Sequence, residues 1–281
     1  MGDWNEFFLQ GLVGMGLVGY NVIKFLLNRV ETVPIADYAE FIPNVALIEN
    51  GRIENQCPRI FQTQPIDDRR FNMIIGPQPR SDELSCMFIR KFLKDFENMH
   101  TEKPINLYIA FGAFITNMII PDKKSSNPES FAEQIIAEEL HKPRKLYIGT
   151  CGDIEFDEFA LSVDGSDMVV EETQGYISGL NGVLPAIIGE RFNIPTITLM
   201  IETSSAEMFP INSSFGQFLG LIASKKGLSF LDRYFNLNLD LVQTIDPIID
   251  DLIPLAKKEL MDSMTKDIPP RNTDGPDKMY L

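Results

Sequence analysis

Two histidines, one tryptophan and three cysteines are all this sequence offers of the side chains that most often handle protons, metals and redox chemistry. Cys57, Cys86 and Cys151 are odd in number, far apart and never in a CxxC pair. That excludes a disulfide framework and a cysteine zinc site, and fits a reducing cytosol. No GxSxG elbow and no HExxH pair occurs, so serine-hydrolase and zincin chemistry have no support. No apolar run reaches the roughly 18 residues that a membrane span needs. The most apolar early stretch, residues 9–20, follows Asp3 and Glu6 rather than a basic region, so it does not read as a signal peptide. Basic excess is lacking too. The net charge of −15 repels phosphate backbones and excludes nucleic acid as the natural partner class, while favouring solubility.

What is present is apolar material in short pieces. Hydrophobic residues make up 44% of 281, enough for one large core, with or without an appendage. Strand-like runs alternate with helical patterns, which predicts a doubly wound α/β layer architecture. Strands are expected at 6–10, 71–75, 105–111, 146–148 and 195–201. Residues 45–49 and 59–63 also suit strands, and the turn chemistry of Glu49-Asn50-Gly51-Arg52 predicts that they form a small hairpin. Helices are expected at 16–29, at 82–99 behind a Ser81 cap, and at 128–141 behind Asn127 with Pro128 first in the helix. Further helices are expected at 183–192 and across 212–264. In the last section Val242, Ile245, Ile249, Leu252 and Ala256 follow helical spacing, with Ile248, Ile253 and Leu260 alongside. That stripe serves either packing on its own domain or a bundle between subunits.

Residues 11–19 read Gly-Leu-Val-Gly-Met-Gly-Leu-Val-Gly. Gly14, Gly16 and Gly19 satisfy GxGxxG between a strand and a helix, and Asp37 stands near where a ribose-binding acid would fall. Small residues there would let a pyrophosphate reach the helix N-terminus. The same glycines let a helix lie close on a sheet. Other polar candidates are sparse. His100 and His141 read as solvated helix-end histidines, and Cys151 as a small buried cysteine at a strand end. Asp153, Glu155, Asp157 and Glu158 lack calcium-loop spacing and read as a solvated helix start.

Residues 175–205 run through a glycine-rich turn, a helix and a strand that closes in Glu202-Thr203. Gly175, Ile177, Gly179, Leu180, Gly182, Leu184, Gly189, Pro195, Leu199, Glu202 and Thr203 follow a pattern that resembles the proteasome assembly chaperone 2 family. The early turn at 11–19 has its counterpart in that family, so one resemblance covers both glycine segments and about residues 5–235. The segment 204–214, with Pro210 and Asn212, departs from the turn many members carry after the Glu-Thr pair. The resemblance implies a three-layer α/β/α domain similar to purine nucleoside phosphorylases, with no catalytic site and no cofactor. It also implies a cytoplasmic, homo-oligomeric, archaeal-type chaperone or docking factor whose partners are proteasome α subunits, with neither nucleic acid nor membrane among them. The rival is a nucleotide- or nucleoside-binding enzyme using the Gly14–Gly19 turn.

The sequence ends Met279-Tyr280-Leu281. A hydrophobic residue, a tyrosine and a final residue is the pattern with which proteasome-binding proteins dock between α subunits. A terminal carboxylate can pair with a pocket lysine, and a tyrosine offers a rigid ring with a hydroxyl handle. The expected organisation is a body over 1–240, a helix over 241–264 and a flexible tail over 265–281. From Met264 to the end the tail can reach at most roughly 55 Å, and as a relaxed coil on the order of 20–25 Å.

Overall fold

The computed structural model describes residues 5–14, 17–41, 46–49, 52–55, 57–117, 127–152, 168–172, 177, 179–205 and 213–265. Eight strands form its main sheet in the order β2-β5-β6-β1-β7-β10-β8-β9. They are β1 (Asn5–Leu12), β2 (Thr32–Asp37), β5 (Arg59–Thr63), β6 (Arg69–Gly76), β7 (Ile105–Asn117), β8 (Arg144–Cys151), β9 (Met168–Glu172) and β10 (Thr196–Ser205). The middle four, β6, β1, β7 and β10, are mutually parallel. β5 runs antiparallel to β6, and β8 antiparallel to β10. A central parallel strand is covered on both faces and needs a near-continuous apolar run. Leu107, Tyr108, Ile109, Ala110 and Phe111 of β7 supply it, all buried.

The described helices are α1 (Val18–Leu27), α2 (Asp82–Glu102), α3 (Pro128–His141), α4 (Leu180–Phe192), α5 (Ser214–Phe235), the short α6 (Leu241–Thr244) and α7 (Asp246–Thr265). One sheet face is closed by Val18, Val22, Ile23 and Leu26 of α1 with Ala223, Leu228 and Leu231 of α5. The other is closed by Phe88, Phe92 and Phe96 of α2 with Leu184 and Ile188 of α4. The result is the expected three-layer α/β/α arrangement. The local start signals act as their chemistry predicts. Ser81 Oγ accepts from Leu84 N at 3.2 Å. Asn127 Oδ1 accepts from Ser130 N at 3.2 Å, ahead of Pro128.

One expectation is corrected. Residues 46–49 (β3) pair with Arg52–Asn55 (β4), not with 59–63, which lies between β2 and β6 in the main sheet. Glu49 pairs with Arg52, so Arg52–Asn55 takes the place expected for 59–63. The helical section expected over 212–264 is made of separate helices. Asn236, Asn238 and Asp240 adopt left-handed backbone and break it into α5, α6 and α7. The apolar stripe also divides. Ile249, Ala256 and Leu260 are buried against Ala132, Ile135 and Ile136 of α3 and Phe215, Phe218 and Ile222 of α5. This part of the stripe is core. Residues 266–281 lie outside the described residues.

Candidate functional site: two glycine turns and a buried strand end

The early glycines hold α1 against the sheet. A Cβ on Gly11 would stand 2.1 Å from Gly19 O, and one on Gly19 would stand 2.3 Å from Phe111 O. Both neighbours are backbone, so only glycine lets α1 approach β1 and β7 this closely. Leu17 takes left-handed backbone (φ 54°) as the chain turns into α1. Met15 and Gly16 lie outside the described residues.

Beside this turn the second glycine segment arrives, and the two are bonded together. Gln10, on β1, donates from Nε2 to Leu180 O at 2.9 Å and to Asn181 Oδ1 at 2.8 Å. Tyr108 donates its hydroxyl to Gln10 Oε1. Burial pushes the Tyr108 hydroxyl well above its ordinary pKa, with Tyr38 adding to the rise, so it stays a donor. Asn181 Nδ2 donates to Leu12 O at 3.3 Å. Gln78, just after β6, donates from Nε2 to Val13 O at 2.7 Å and accepts Leu180 N at 3.2 Å. Gly179, at φ 79°, starts α4 without a side-chain cap. Gln78 takes that role. Strand C-terminal ends at a topological switch point are where open α/β sheets bind ligands. In this chain Asn181 Nδ2 and Gln78 Nε2 stand at this strand end, 3.3 Å and 3.8 Å from a would-be Cβ on Gly14. Asp37 ends the edge strand β2, with β5 and β6 between it and β1, so it is not beside the turn as a ribose-binding acid must be.

Glu202 and Thr203 stand near the C-terminal end of β10, and both are buried. Glu202 meets Lys142 Nζ at 2.7 Å, accepts Lys145 N at 2.9 Å and accepts Thr116 Oγ1 at 3.1 Å. Burial pushes its carboxyl up, but Lys142, the Lys145 N–H and Thr116 together outweigh burial and hold it below the usual range. Next to it, Arg144 is fully buried. Its Nη2 donates to Glu139 Oε2 at 2.7 Å and to Glu139 O at 2.9 Å, and its Nη1 to Ser204 Oγ at 3.3 Å. Ser204 in turn donates to Glu139, at 3.0 and 2.9 Å to its two oxygens. Two cations and two carboxylates balance in one brace joining the end of α3, the start of β8 and the end of β10. Such a cluster fixes geometry. A paired, hydrogen-bonded carboxylate is poorly placed to move a proton.

The remaining candidates are scattered. His100 ends α2 half-buried rather than solvated, stacks on Phe96 and accepts Ile105 N on Nδ1 at 2.9 Å. Burial lowers its pKa. Its role is to receive an orphan N–H where the chain enters β7. His141 ends α3. Cys151 is half-buried rather than buried, with Gly189 pressed against its sulfur, beside a shallow hollow rimmed by Gly152, Glu190 and Asn193. Asp153, Glu155, Asp157 and Glu158 lie outside the described residues, as do Met279, Tyr280 and Leu281. Among the described residues no group of three or more His, Cys, Asp or Glu is placed to hold a metal ion, and no helix is long and apolar enough to cross a membrane. Sequence reasoning missed Gln10, Gln78, Asn181, Glu139 and Arg144. Gln10 gave a signal: a lone amide inside the apolar run Phe7-Phe8-Leu9-Gln10-Gly11-Leu12.

The fold and site define a doubly wound α/β body whose two glycine turns are tied together by Gln10, Gln78 and Asn181. The chain belongs to the PAC2 family, whose model matches residues 8–246. Among solved structures it is similar to Pyrococcus furiosus PbaB, an archaeal proteasome activator, at 17% identity and TM-score 0.66, covering 91% of this chain and 93% of that one. It is similar to P. furiosus PbaA, an archaeal homolog of proteasome-assembly chaperone, at 15% identity and TM-score 0.57, covering 94% and 92%. It also resembles a proteasome-assembly chaperone homologue from Mycobacterium tuberculosis at 12% identity and TM-score 0.57, covering 93% and 96%. At these identities the likeness shows the fold. No curated protein matches the sequence.

Proposed function

We propose that this chain is a non-enzymatic proteasome-binding factor, an assembly chaperone or activator of archaeal type. It works in the cytoplasm as a homo-oligomer and docks its C-terminal residues on the proteasome α-ring. The observation that carries the proposal is the PAC2-family match across residues 8–246. The likeness to an archaeal proteasome activator over nine-tenths of the chain supports it. The place of Asp37 on the edge strand β2, away from the Gly14–Gly19 turn, favours it over a nucleotide enzyme. In this proposal Met279, Tyr280 and Leu281 form the anchor, the α subunits supply the pocket, and the body sets where the tails begin.

Each tail contributes modest affinity, because every immobilised side chain costs about 0.5–1.5 kcal/mol in ordering. Several tails on one oligomer offset that through avidity. The test is capture of purified α-rings by the unaltered chain, by Tyr280→Ala, and by a form with one residue added after Leu281. Both altered forms lose capture, the second because the carboxylate has moved. Equal capture by all three refutes tail docking.

A further inference from the structure

We infer that the body faces the α-ring with the sheet edge at which its parallel strands end, because α7, the helix that leads into the tail, ends there. This deepens the proposed function and rests on its reading of Met279, Tyr280 and Leu281 as the anchor.

Strands β6, β1, β7 and β10 all run toward one edge, marked by Gly76, Leu12, Asn117 and Ser205. Helix α5 runs back the other way. Arg69, which opens β6, donates from Nη1 to Phe235 O in the last turn of α5. The Phe235 ring packs on Phe7 and Phe71, near the starts of β1 and β6, with centroids 4.8 and 5.1 Å away. Midway, a Cβ on Gly227 would meet Ile201 Cδ1 of β10 at 2.9 Å. The 22 residues of α5 span about 33 Å, so the helix starts at the edge where the strands end.

Helix α7 then runs along α5 in the opposite direction. Near its start Asp246 meets Lys225 Nζ at 2.5 Å, and farther along Glu259 Oε2 accepts Phe215 N at 2.9 Å. Glu259 is thus level with the first turn of α5. The rest of α7, to Thr265, extends about 9 Å beyond it. Its course is fixed by packing and ion pairs. Ile249, Ala256 and Leu260 are buried against α3 and α5. Lys257 meets Glu129 at 3.0 Å and Glu133 at 2.6 Å on α3.

Chain length turns that exit into an orientation. From Thr265 to Met279 there are 14 steps of sequence. They reach at most roughly 46 Å, and on the order of 20 Å as a relaxed coil. The opposite edge, at the Phe235 end of α5, lies about 40 Å behind Thr265. With that edge on the ring, the tether would run back along the whole body almost straight. Little of it would be left to enter a pocket, and straightening forfeits chain entropy. With the other edge on the ring, the relaxed tether suffices.

The test uses the full chain and purified α-rings. A photoreactive benzoylphenylalanine is placed in turn at Ser130 on α3 and Asp262 on α7, and at Asp68 and Arg233 by the opposite edge; all four positions are exposed. Cross-links to α subunits are expected from Ser130 and Asp262, and none from Asp68 and Arg233. A second variant lacks residues 268–273, which cuts the reach to roughly 26 Å. It should still capture α-rings. Cross-links from Asp68 or Arg233, cross-links from none of the four while capture persists, or loss of capture by the shortened form would each overturn the orientation and leave tail docking standing. Capture by Tyr280→Ala equal to that of the unaltered chain is a different failure, which refutes tail docking and removes the orientation with it.

Discussion

Gly19→Ala is the sharpest probe of what the early glycine turn does. If the turn is a packing device, the methyl group meets Phe111 O at 2.3 Å, whereas ordinary Cβ contacts begin near 3.4 Å. Helix α1 must rise from the sheet by about 1 Å, and Phe111 lies in the middle of the sheet, where the strand cannot yield. A gap of that size costs Val18, Val22, Ile23 and Leu26 about a quarter to a half of their dispersion contacts on that side. Overpacking costs about 1–3 kcal/mol, and the upper end applies because the obstacle is backbone. Replacing a helical glycine by alanine returns roughly 0.5–1 kcal/mol. The net expectation is a loss of about 2 kcal/mol, or roughly 4–8 °C in Tm for a chain of this size. Gly14→Ala is the control. Its Cβ meets only side-chain amides, Asn181 at 3.3 Å and Gln78 at 3.8 Å. A change within about 0.5 kcal/mol is expected there. Urea unfolding of both variants decides the matter. If Gly14→Ala is the damaging change and Gly19→Ala is silent, the packing argument is refuted.

Two further perturbations follow from charges near strand ends. His100 is held below its ordinary pKa by burial, so the folded state binds fewer protons than the unfolded one. Its contribution is complete above the unfolded value of about 6.5 and is lost as the pH falls below it; urea midpoints should drop from about pH 7.5 to about 5.5, and His100→Asn should flatten that slope. Glu202→Gln breaks a buried carboxylate's pair with a half-exposed lysine, so about 1–3 kcal/mol is expected rather than the larger cost of an enclosed pair. Because Glu202 is held below the usual carboxylate range, its contribution is present above about pH 4.5 and is lost as the pH falls through the folded value, and calorimetry of wild type and Glu202→Gln should converge in acid.

Sequence reasoning succeeded where the physics is local. Ser81, Asn127 and Pro128 announce helix starts because a cap needs only the next three residues. Strands β6, β1, β7 and β10 are legible because burial on both faces demands apolar runs. β2 was not, because Pro34 disguises it; proline is tolerated there only because β2 is an edge strand, which is a tertiary fact. Asn50-Gly51 signalled a hairpin correctly, but the more apolar 59–63 segment drew the pairing away from its true partner. The stripe in the last helix was visible, yet its division into an inner face through Ile249 and an outer line through Leu255 depends on where α3 and α5 lie. The polar brace at the switch point was out of reach for a different reason. Gln10 and Asn181 bond across 171 positions of sequence, and nothing local to either one specifies the other.

Gln78 shows how one side chain ties two loops together at the place where open α/β sheets bind ligands. The N-terminus of α4 presents a free N–H at Leu180, and Gly179 has no side chain to cap it. Gln78 accepts that N–H and donates to Val13 O, tying the second glycine turn to the first. Gln78→Ala removes both bonds. The site is half-buried, so water can replace part of the loss, and about 1 kcal/mol is expected, the usual cost of a missing helix cap. Gln78→Glu separates the two roles. A carboxylate can still accept Leu180 N and is favoured by the helix dipole, but it cannot donate to Val13 O. It should therefore retain about half of the stability that alanine loses. Hydrogen exchange at Leu180 should follow the same order, fastest in Gln78→Ala and close to wild type in Gln78→Glu. Wild-type protection at Leu180 in Gln78→Ala would mean that Gln78 is not the cap, and the tie between the two glycine turns would then rest on Gln10 and Asn181.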